Sequence, residues 1–147
     1  MGEPESLRAR ALQMLARREH SRFEMQNRLL SRGADEAEVL SLLDEFEAKG
    51  WLSERRFVDA VVQARKRRFG TAKVLRELKD KGVSEQGLTA AREVLREDEL
   101  DAARSVWNKK FGKRPVTLAE RAKQSRFLAG RGFSPDVICK VLRLRDE

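Results

Sequence analysis

The sequence is poor in the residues that build disulfide, zinc and membrane proteins. It has one cysteine, Cys139, and one histidine, His20. That set allows neither an internal disulfide nor the three or four nitrogen and sulfur ligands of a typical zinc site. No apolar run approaches the roughly 18 residues that cross a bilayer, and none follows Met1. We therefore expect no membrane-spanning helix and no secretory signal, and we place the protein in the cytoplasm.

Motifs that carry catalysis are also missing. The sequence has no GxxxxGK[ST] phosphate loop, no GxSxG and no HExxH. The motifs that support ATP hydrolysis, esterase and zincin chemistry are therefore absent. Tyrosine is absent and only 6% of residues are aromatic, which does not indicate a platform for stacking nucleic-acid bases. We predict an interaction protein with no enzymatic activity and no cofactor. A carboxylate–Mg²⁺ nuclease is the enzymatic alternative that the sequence leaves open.

Positive charge is abundant and unevenly placed. The net charge is 32 − 24 = +8, and arginines outnumber lysines by 22 to 10. Residues 7–52 carry 8 − 8 = 0, residues 53–96 carry 12 − 6 = +6, and residues 97–147 carry 12 − 8 = +4. Arginine suits forked contacts to phosphate or carboxylate, so a polyanionic or acidic partner is one reading. The other is that arginine stems cover apolar helix flanks.

The same junction between two helices occurs three times. Each copy has a basic residue, a glycine able to adopt the left-handed conformation, an apolar residue, and then Asp or Ser in position to cap the next helix. The glycines are Gly33, Gly82 and Gly132, at spacings of 49 and 50 residues. A fixed period of this size predicts a supersecondary unit repeated in tandem.

Helix-start signals complete each unit as a triplet. Ser21 with Glu24, and Thr117 with Glu120, have the spacing of a capping box, and Thr71 is a plain N-cap candidate. Apolar residues recur at helical spacing, with no sustained period of two. We predict an all-α protein of about nine helices, in three tandem three-helix repeats that form an elongated, curved, stacked body. The predicted divisions are a flexible N-terminus at 1–6 and units at 7–52, 53–96 and 97–147, linked through Gly50–Ser53 and Arg96–Asp98.

Four segments carry a family resemblance, namely Gly50–Val58, Arg68–Gly70, Leu75–Val83 and Arg126–Phe133. Their order resembles the RecX family of bacterial recombinase regulators, from about Leu12 to Leu142. The resemblance implies three tandem three-helix repeats and a protein that binds RecA filaments on DNA. It also implies restraint of their ATP hydrolysis, strand exchange and co-protease activity. The family usually has an acidic pair where this sequence has Ser53-Glu54, so one negative charge is lost while Ser can still cap the helix.

Two basic clusters are the candidate partner- and DNA-binding sites. The first comprises Arg65, Lys66, Arg67 and Arg68 with Lys73, Arg76 and Lys79 on one face of the next helix; the second comprises Lys109, Lys110, Lys113 and Arg114. Such residues can contact a phosphate backbone or acidic lobes of a recombinase. Alternatively, cations in a last helical turn offset the helix dipole and need no partner, and the second cluster is a solvated loop.

The functional prediction is a negative modulator of recombination and of the SOS response, which binds the RecA filament as a monomer. It would bind single- or double-stranded DNA more weakly and without sequence preference, and would not contact membranes. Two other classes stay open, a sequence-independent helical DNA-binding protein and a helical adaptor without nucleic acid. Trp51 and Trp107 are expected to seal helix packing, with an exposed anchor as the alternative, and Phe133 to staple the last junction.

Overall fold

The fold is a series of short helices. The computed structural model describes residues 6–143, which form eight α-helices and no strand. In chain order they are α1 (Leu7–Arg17), α2 (Arg22–Ser31), α3 (Glu36–Ala48), α4 (Glu54–Arg65), α5 (Thr71–Asp80), α6 (Glu85–Lys110), α7 (Leu118–Gly130) and α8 (Pro135–Leu142). The predictions of an all-α fold and of three tandem helical triplets are confirmed. Of the N-terminus that we expected to be flexible, residues 1–5 lie outside the described part of the chain.

The glycines of the three predicted junctions, which we call the glycine stops, have equivalent backbone conformations. Gly33, Gly82 and Gly132 adopt φ of 86°, 79° and 93°, the left-handed region that glycine enters without steric cost. After two of them the chain closes the same way, since the amide of Val83 donates to the Leu78 carbonyl and that of Phe133 to the Leu128 carbonyl. The repeat predicted from the sequence is therefore a repeat of backbone geometry.

Most of the predicted helix starts are confirmed. Ser21 and Thr117 each form a complete capping box, and the Ser134 hydroxyl accepts from the Val137 amide ahead of α8. The prediction of Thr71 as an N-cap is wrong, because Gly70 occupies the cap of α5 without a side-chain hydrogen bond. Thr71 is instead the first helical residue, buried at 7% exposure.

The predicted linker at Arg96–Asp98 and the count of about nine helices are also wrong. A single helix of 26 residues, α6, runs through those positions, for a length of about 39 Å. Buried residues continue from Leu95 through Glu99 to Ala102 without a phase change, so one buried stripe serves both sides of the expected break. Good helix formers on either side outweigh the capping tendency of Asp98. The predicted division between residues 96 and 97 thus falls inside a helix.

Each triplet has a separate hydrophobic core. The first contains Ala11, Met25, Leu29, Val39, Leu43, Phe46 and Leu52. The second contains Phe57, Val58, Val62, Val74, Leu78, Val83, Leu88, Ala91 and Leu95. The third contains Ala102, Ala103, Leu128, Phe133, Ile138, Val141 and Leu142. Three small cores leave the chain with 10066 Å² of accessible surface, against about 7,700 Å² for a compact protein of this mass, as expected for an elongated body.

The large aromatics join these cores at their edges. Trp51 packs edge-on against Phe46, with ring centroids 5.3 Å apart, and stays 42% exposed. The Trp107 indole nitrogen donates to the Gln124 side-chain oxygen at 2.8 Å. Phe133 is 4% exposed within the third core. All three rings therefore have packing roles, and Trp51 also presents an open face.

Candidate functional site

The first predicted basic cluster lies where the end of α4 meets α5. Two of its members are paired inside the chain, since the Arg65 Nε lies 3.1 Å from Glu77 Oε1 and the Lys66 Nζ lies 3.9 Å from Asp98 Oδ2. Pairing at partly exposed sites contributes little to stability, but each pair joins one cation to one carboxylate and so presents no net charge. Arg65 and Lys66 therefore bridge neighbouring helices.

Four other members of this cluster point into solvent. Arg67, Arg68, Arg76 and Lys79 are exposed, and within residues 6–143 none of their charged groups has a hydrogen bond or ion pair. Arg67 and Arg68 lie in the turn after α4, and Arg76 and Lys79 lie one turn apart on α5. We call these four side chains the basic ridge. Arg67 also lines a recess with Asp98 and Asp101 of α6, and the joining of all four into one contact surface stays a prediction.

Lys73, also predicted in this cluster, is used differently. Its ammonium lies 4.8 Å from the centre of the Phe69 ring, and Arg131 lies 5.3 Å from the same ring and 5.2 Å from Phe127. Lys110 from the second cluster is 5.4 Å from Phe127. These five residues form an alternating cation–ring row between the second and third units, in which each cation faces an electron-rich ring surface.

The second predicted cluster surrounds the turn after α6. Lys109, Lys113 and Arg114 are exposed, and their charged groups have no partner in the described part of the chain. The backbone carbonyl of Lys113 accepts from the Gln124 side chain at 3.0 Å, which holds the turn against α7. Lys109, Lys113 and Arg114 thus form an open, positively charged turn.

A carboxylate joins the first unit to the second. The side chain of Glu24 is 10% exposed and accepts from Arg18 at 2.8 Å, from the Ser21 amide at 3.0 Å and from Lys81 at 3.2 Å. Burial alone would raise the pKa of Glu24, but these three donors outweigh it and lower the pKa to about 2. Because Lys81 belongs to the second unit, Glu24 is an ionic hub across the joint.

The same joint has a second ion pair and a close contact. Arg56 donates to Glu19 at 2.9 Å and to the Gly50 carbonyl at 2.7 Å. A Cβ at Gly82 would stand 2.7 Å from the Cβ of Phe23. The Phe23 side chain of the first unit therefore packs directly against the glycine stop of the second unit. Side chains therefore supply the contacts of the first joint.

The second joint adds direct backbone contacts to its cation–ring row. The Gly70 amide donates to the Arg131 carbonyl at 2.8 Å, and a Cβ at Gly70 would stand 2.3 Å from the carbonyl carbon of Gly132. Gly70 therefore occupies the cap of α5 because only glycine allows this approach. Arg131 also donates to the Arg68 carbonyl at 3.2 Å, which ties the last junction to the turn after α4.

Charge counting by segment missed a cluster of arginines in the first unit. Between α1 and α2 a recess of about 400 Å³ is lined by Arg10, Arg17, Arg18, Arg28, Arg32 and His20, with Gln13, Met14 and Leu29. We call it the arginine cleft. The segment sum of zero hid it because no carboxylate of this unit is among the described residues of the lining. A signal was available in α1, whose 11 residues contain three arginines and no acidic residue, with Arg10 and Arg17 two turns apart on one face.

His20 lies at the inner side of the cleft. It is 5% exposed, with its Nδ1 3.0 Å from the Arg18 carbonyl oxygen. Burial lowers the pKa of His20 below its ordinary value, against the opposing effect of that carbonyl. The ring is therefore neutral at pH 7, and the positive charge of the cleft comes from its arginines.

Neither a metal centre nor a membrane span emerges from the described residues. Between residues 6 and 143 no group of three or more His, Cys, Asp or Glu side chains is placed to hold a metal ion. Over the same range no helix has the length and apolar character to cross a bilayer.

Comparison with known proteins assigns the family. Residues 8–46 match the first three-helix domain of RecX and residues 97–142 match the third. The regulatory protein RecX of Leptothrix cholodnii is 47% identical over 142 residues, which cover 97% of this chain and 90% of that protein. The chain belongs to the RecX family. The RecX of Ralstonia pickettii is 42% identical over 99% of this chain and 91% of its own length.

Solved structures show the same fold. The RecX of Lactobacillus salivarius superposes with a TM-score of 0.79 at 16% identity, over 95% of this chain and 96% of that one. The crystal structure of another regulatory protein RecX gives 0.81 at 16% identity, over 95% of this chain and 72% of that one. At this identity the likeness concerns the fold alone.

The departure from the RecX family pattern at Ser53-Glu54 has a clear structural outcome. The Ser53 hydroxyl accepts from the Arg56 amide and caps α4, so the helix start survives, as expected. The remaining carboxylate, Glu54, accepts from the amide of Ser84 at 2.8 Å and from its hydroxyl at 2.7 Å. This acidic side chain therefore ties α4 to the junction before α6.

Proposed function

We propose that this protein binds the RecA filament on DNA and inhibits its ATPase, strand-exchange and co-protease activities. It acts by binding, without catalysis of its own, in the cytoplasm. The observation that carries the proposal is membership of the RecX family over nearly the whole chain, 97% of it against the Leptothrix relative. The relatives are named regulatory proteins, which supports a binding role.

The shape supports an extended partner. Three triplets follow one another, and α6 alone spans about 39 Å, which is longer than a small-ligand site requires. A body of this kind can contact adjacent protomers of a filament and resist the rearrangements that nucleotide turnover and strand exchange require. Repeat proteins commonly use such extended surfaces for binding.

The basic ridge is the proposed contact surface. Arg67, Arg68, Arg76 and Lys79 have no internal partner among the described residues, so binding to acidic or phosphate groups would break no existing ion pair. Lys109, Lys113 and Arg114 form a second proposed contact. Arg65, Lys66, Lys73 and Lys110, which were predicted with them, have internal contacts, and we assign them to support of the surface.

A charge-reversal experiment tests this proposal. We would measure ATP hydrolysis by RecA on single-stranded DNA with the native chain, with R67E/R68E, and with R121E/R126E. The control reverses two exposed arginines of α7, so both variants change the net charge equally. We expect the native chain and the control to inhibit, and R67E/R68E to need at least about tenfold more protein, since each lost charged contact contributes about 1.5–3 kcal/mol. Absence of inhibition by the native chain would refute the proposal.

A sequence-independent DNA-binding protein is the second candidate, favoured by the net charge of +8. Parallel titration of naked single-stranded DNA separates the two. Inhibition well below the concentration that saturates DNA supports binding to the filament. Inhibition only at DNA saturation indicates competition for DNA, and neither inhibition nor DNA binding would indicate an adaptor.

A further inference from the structure

We propose that the arginine cleft of the first unit binds the phosphate groups of a nucleic-acid strand. The cleft lies between α1 and α2, apart from the basic ridge on α4 and α5. Binding here requires no recombinase and uses a surface to which the function proposed above assigns no contact, so the two proposals can fail or succeed separately.

The pairing of charges in this unit singles out the cleft. Arg8 contacts Glu45, and Arg22 contacts Asp44 at 2.7 Å and Glu47 at 2.6 Å. The four basic residues of the first unit without an ion pair or hydrogen bond at the side chain, among those that the structure describes, are Arg10, Arg17, Arg28 and Arg32. All four line the cleft. The carboxylates that pair with Arg8 and Arg22 lie on α3, and no carboxylate is among the described residues of the lining.

Such a cluster is unfavourable unless an anion meets it. Arg28, in the last turn of α2, and its C-cap residue Arg32 are four residues apart, a spacing at which like charges repel, and Arg10 and Arg17 lie on α1. The fifth arginine, Arg18, donates to Glu24, which lies outside the lining. Water screens this repulsion only in part, and a bound polyanion would remove it.

The spacing of the arginines fits a row of phosphates. Seven residues separate Arg10 from Arg17, a distance of about 10 Å along the axis of α1, while Arg28 and Arg32 are about 6 Å apart on α2. A nucleic-acid strand carries one phosphate per roughly 3.4 Å of helix axis, so several could engage the cleft together. The guanidinium fork matches phosphate oxygens in pairs.

A peptide fits less well. Both walls of the cleft are α-helices, whose backbone groups are already hydrogen-bonded, so no strand edge is offered to an extended chain. Its apolar lining is limited to Met14 and Leu29, and Leu29 is 1% exposed, which leaves too little surface for an amphipathic helix. No aromatic residue is among the described lining, so bases would not be stacked and binding would be tolerant of sequence.

The test is equilibrium binding of a fluorescent 20-nucleotide oligo-dT to the full chain without recombinase, by anisotropy at several salt concentrations. We compare R17E/R28E with the matched control R121E/R126E and with R67E/R68E. Circular dichroism would check that each variant keeps its helicity. We expect R17E/R28E to weaken binding at least about tenfold, with a salt slope shallower by about 1.4, because two phosphate contacts contribute about 0.7 each on a single strand.

Competition identifies the ligand. Unlabelled oligo-dT should displace the probe, while inorganic triphosphate and polyglutamate of equal total charge should do so at least about tenfold more weakly. Equal displacement by triphosphate would indicate a free-phosphate site, and equal displacement by polyglutamate an acidic-protein site; either result overturns the proposal. It is also overturned if R17E/R28E behaves like the control, or if R67E/R68E alone loses binding.

Discussion

The two joints between the three units use different physical interactions at equivalent positions. Glu24 lies nine residues before Gly33, and Lys73 lies nine residues before Gly82. In the first joint Glu24 contacts Lys81, the residue before Gly82. In the second joint Lys73 shares the Phe69 ring with Arg131, the residue before Gly132. The first joint therefore has an ion pair, whereas the second has two cations that share the Phe69 ring.

The two joints also differ in how the chain connects the units. The first joint is crossed by a turn through Gly50, at φ of 76°, and the second by the uninterrupted helix α6. Charged side chains hold the turn, while a backbone hydrogen bond and a glycine-to-glycine contact hold the helix-linked pair. One repeated backbone can therefore be coupled by ion pairs at one joint, and by main-chain contacts with a cation–ring row at the next. We expect the first joint to respond to pH and the second to steric changes.

The largest effect is expected from a methyl group at the second joint. In Gly70→Ala the new Cβ would stand 2.3 Å from the backbone of Gly132, and neither backbone can yield without separating the units. Since the φ of Gly70 is −79°, alanine suits the local backbone and the cost is one of space. We expect a loss of about 3 kcal/mol in the free energy of unfolding, measured by urea denaturation.

Gly130→Ala is the control for that prediction. Gly130 is helical and a Cβ there would meet nothing within 4 Å, so alanine should stabilise by about 0.5–1 kcal/mol. Equal losses in both variants would show that the close approach of Gly70 and Gly132 is unimportant.

Removal of the charge at the first joint should have the next largest effect. In Glu24→Gln the amide cannot accept from Arg18, Ser21 and Lys81 as the carboxylate does, and it leaves partly buried cations with weaker partners. We expect a loss of about 2 kcal/mol, after allowance for solvent screening at Arg18 and Lys81. Glu85→Gln, at an exposed position in the first turn of α6, should change the stability by less than about 0.5 kcal/mol.

The same carboxylate predicts a pH dependence. The folded pKa of Glu24, about 2, lies below its ordinary value of 4.5, so its stabilisation is complete above pH 4.5 and is lost as the pH falls toward 2. The difference in unfolding free energy between native chain and Glu24→Gln should therefore shrink between pH 5 and 2. A difference that stays constant over that range would place the effect of the variant elsewhere.

The smallest effect is expected from making the joints alike. Lys73→Glu would replace a cation over Phe69 by a carboxylate close to Arg131, exchanging a cation–ring contact for an ion pair of similar strength. We expect the free energy of unfolding, measured by urea denaturation at low salt, to change by less than about 1 kcal/mol. The salt dependence should increase, because the new contact is ionic. Unchanged salt dependence would mean that the two charges do not meet.

The features predicted from the sequence were those encoded within a few residues. At the last junction, local geometry alone indicates where one helix ends and the next begins, through Gly132, Ser134 and Pro135. The structure confirms both positions. The continuity of α6 was missed because Asp98 has a capping tendency that the surrounding helix formers override. The role of Gly70 could not be predicted, because the contact with Gly132 joins residues 62 positions apart.

The candidate sites show the same contrast between features encoded within a few residues and contacts that the fold makes between distant ones. From the sequence, Arg67 and Arg76 are predicted to share one basic surface, because basic residues cluster after α4 and recur along α5. The sequence did not separate them from Arg65, whose partner Glu77 lies across the helix pair. The arginine cleft was missed because a sum over residues 7–52 cancels charges that the fold keeps on different faces.

The most direct test of the unlike joints is a pair of distance distributions measured by electron spin resonance, in a Cys139→Ala background. One pair of labels would join the first and second units, at Ser41→Cys and Gln63→Cys, and the other would join the second and third, at Gln63→Cys and Lys123→Cys. On introduction of Glu24→Gln we predict that the first distribution broadens and the second is unchanged. Broadening of both, or of neither, would contradict the account.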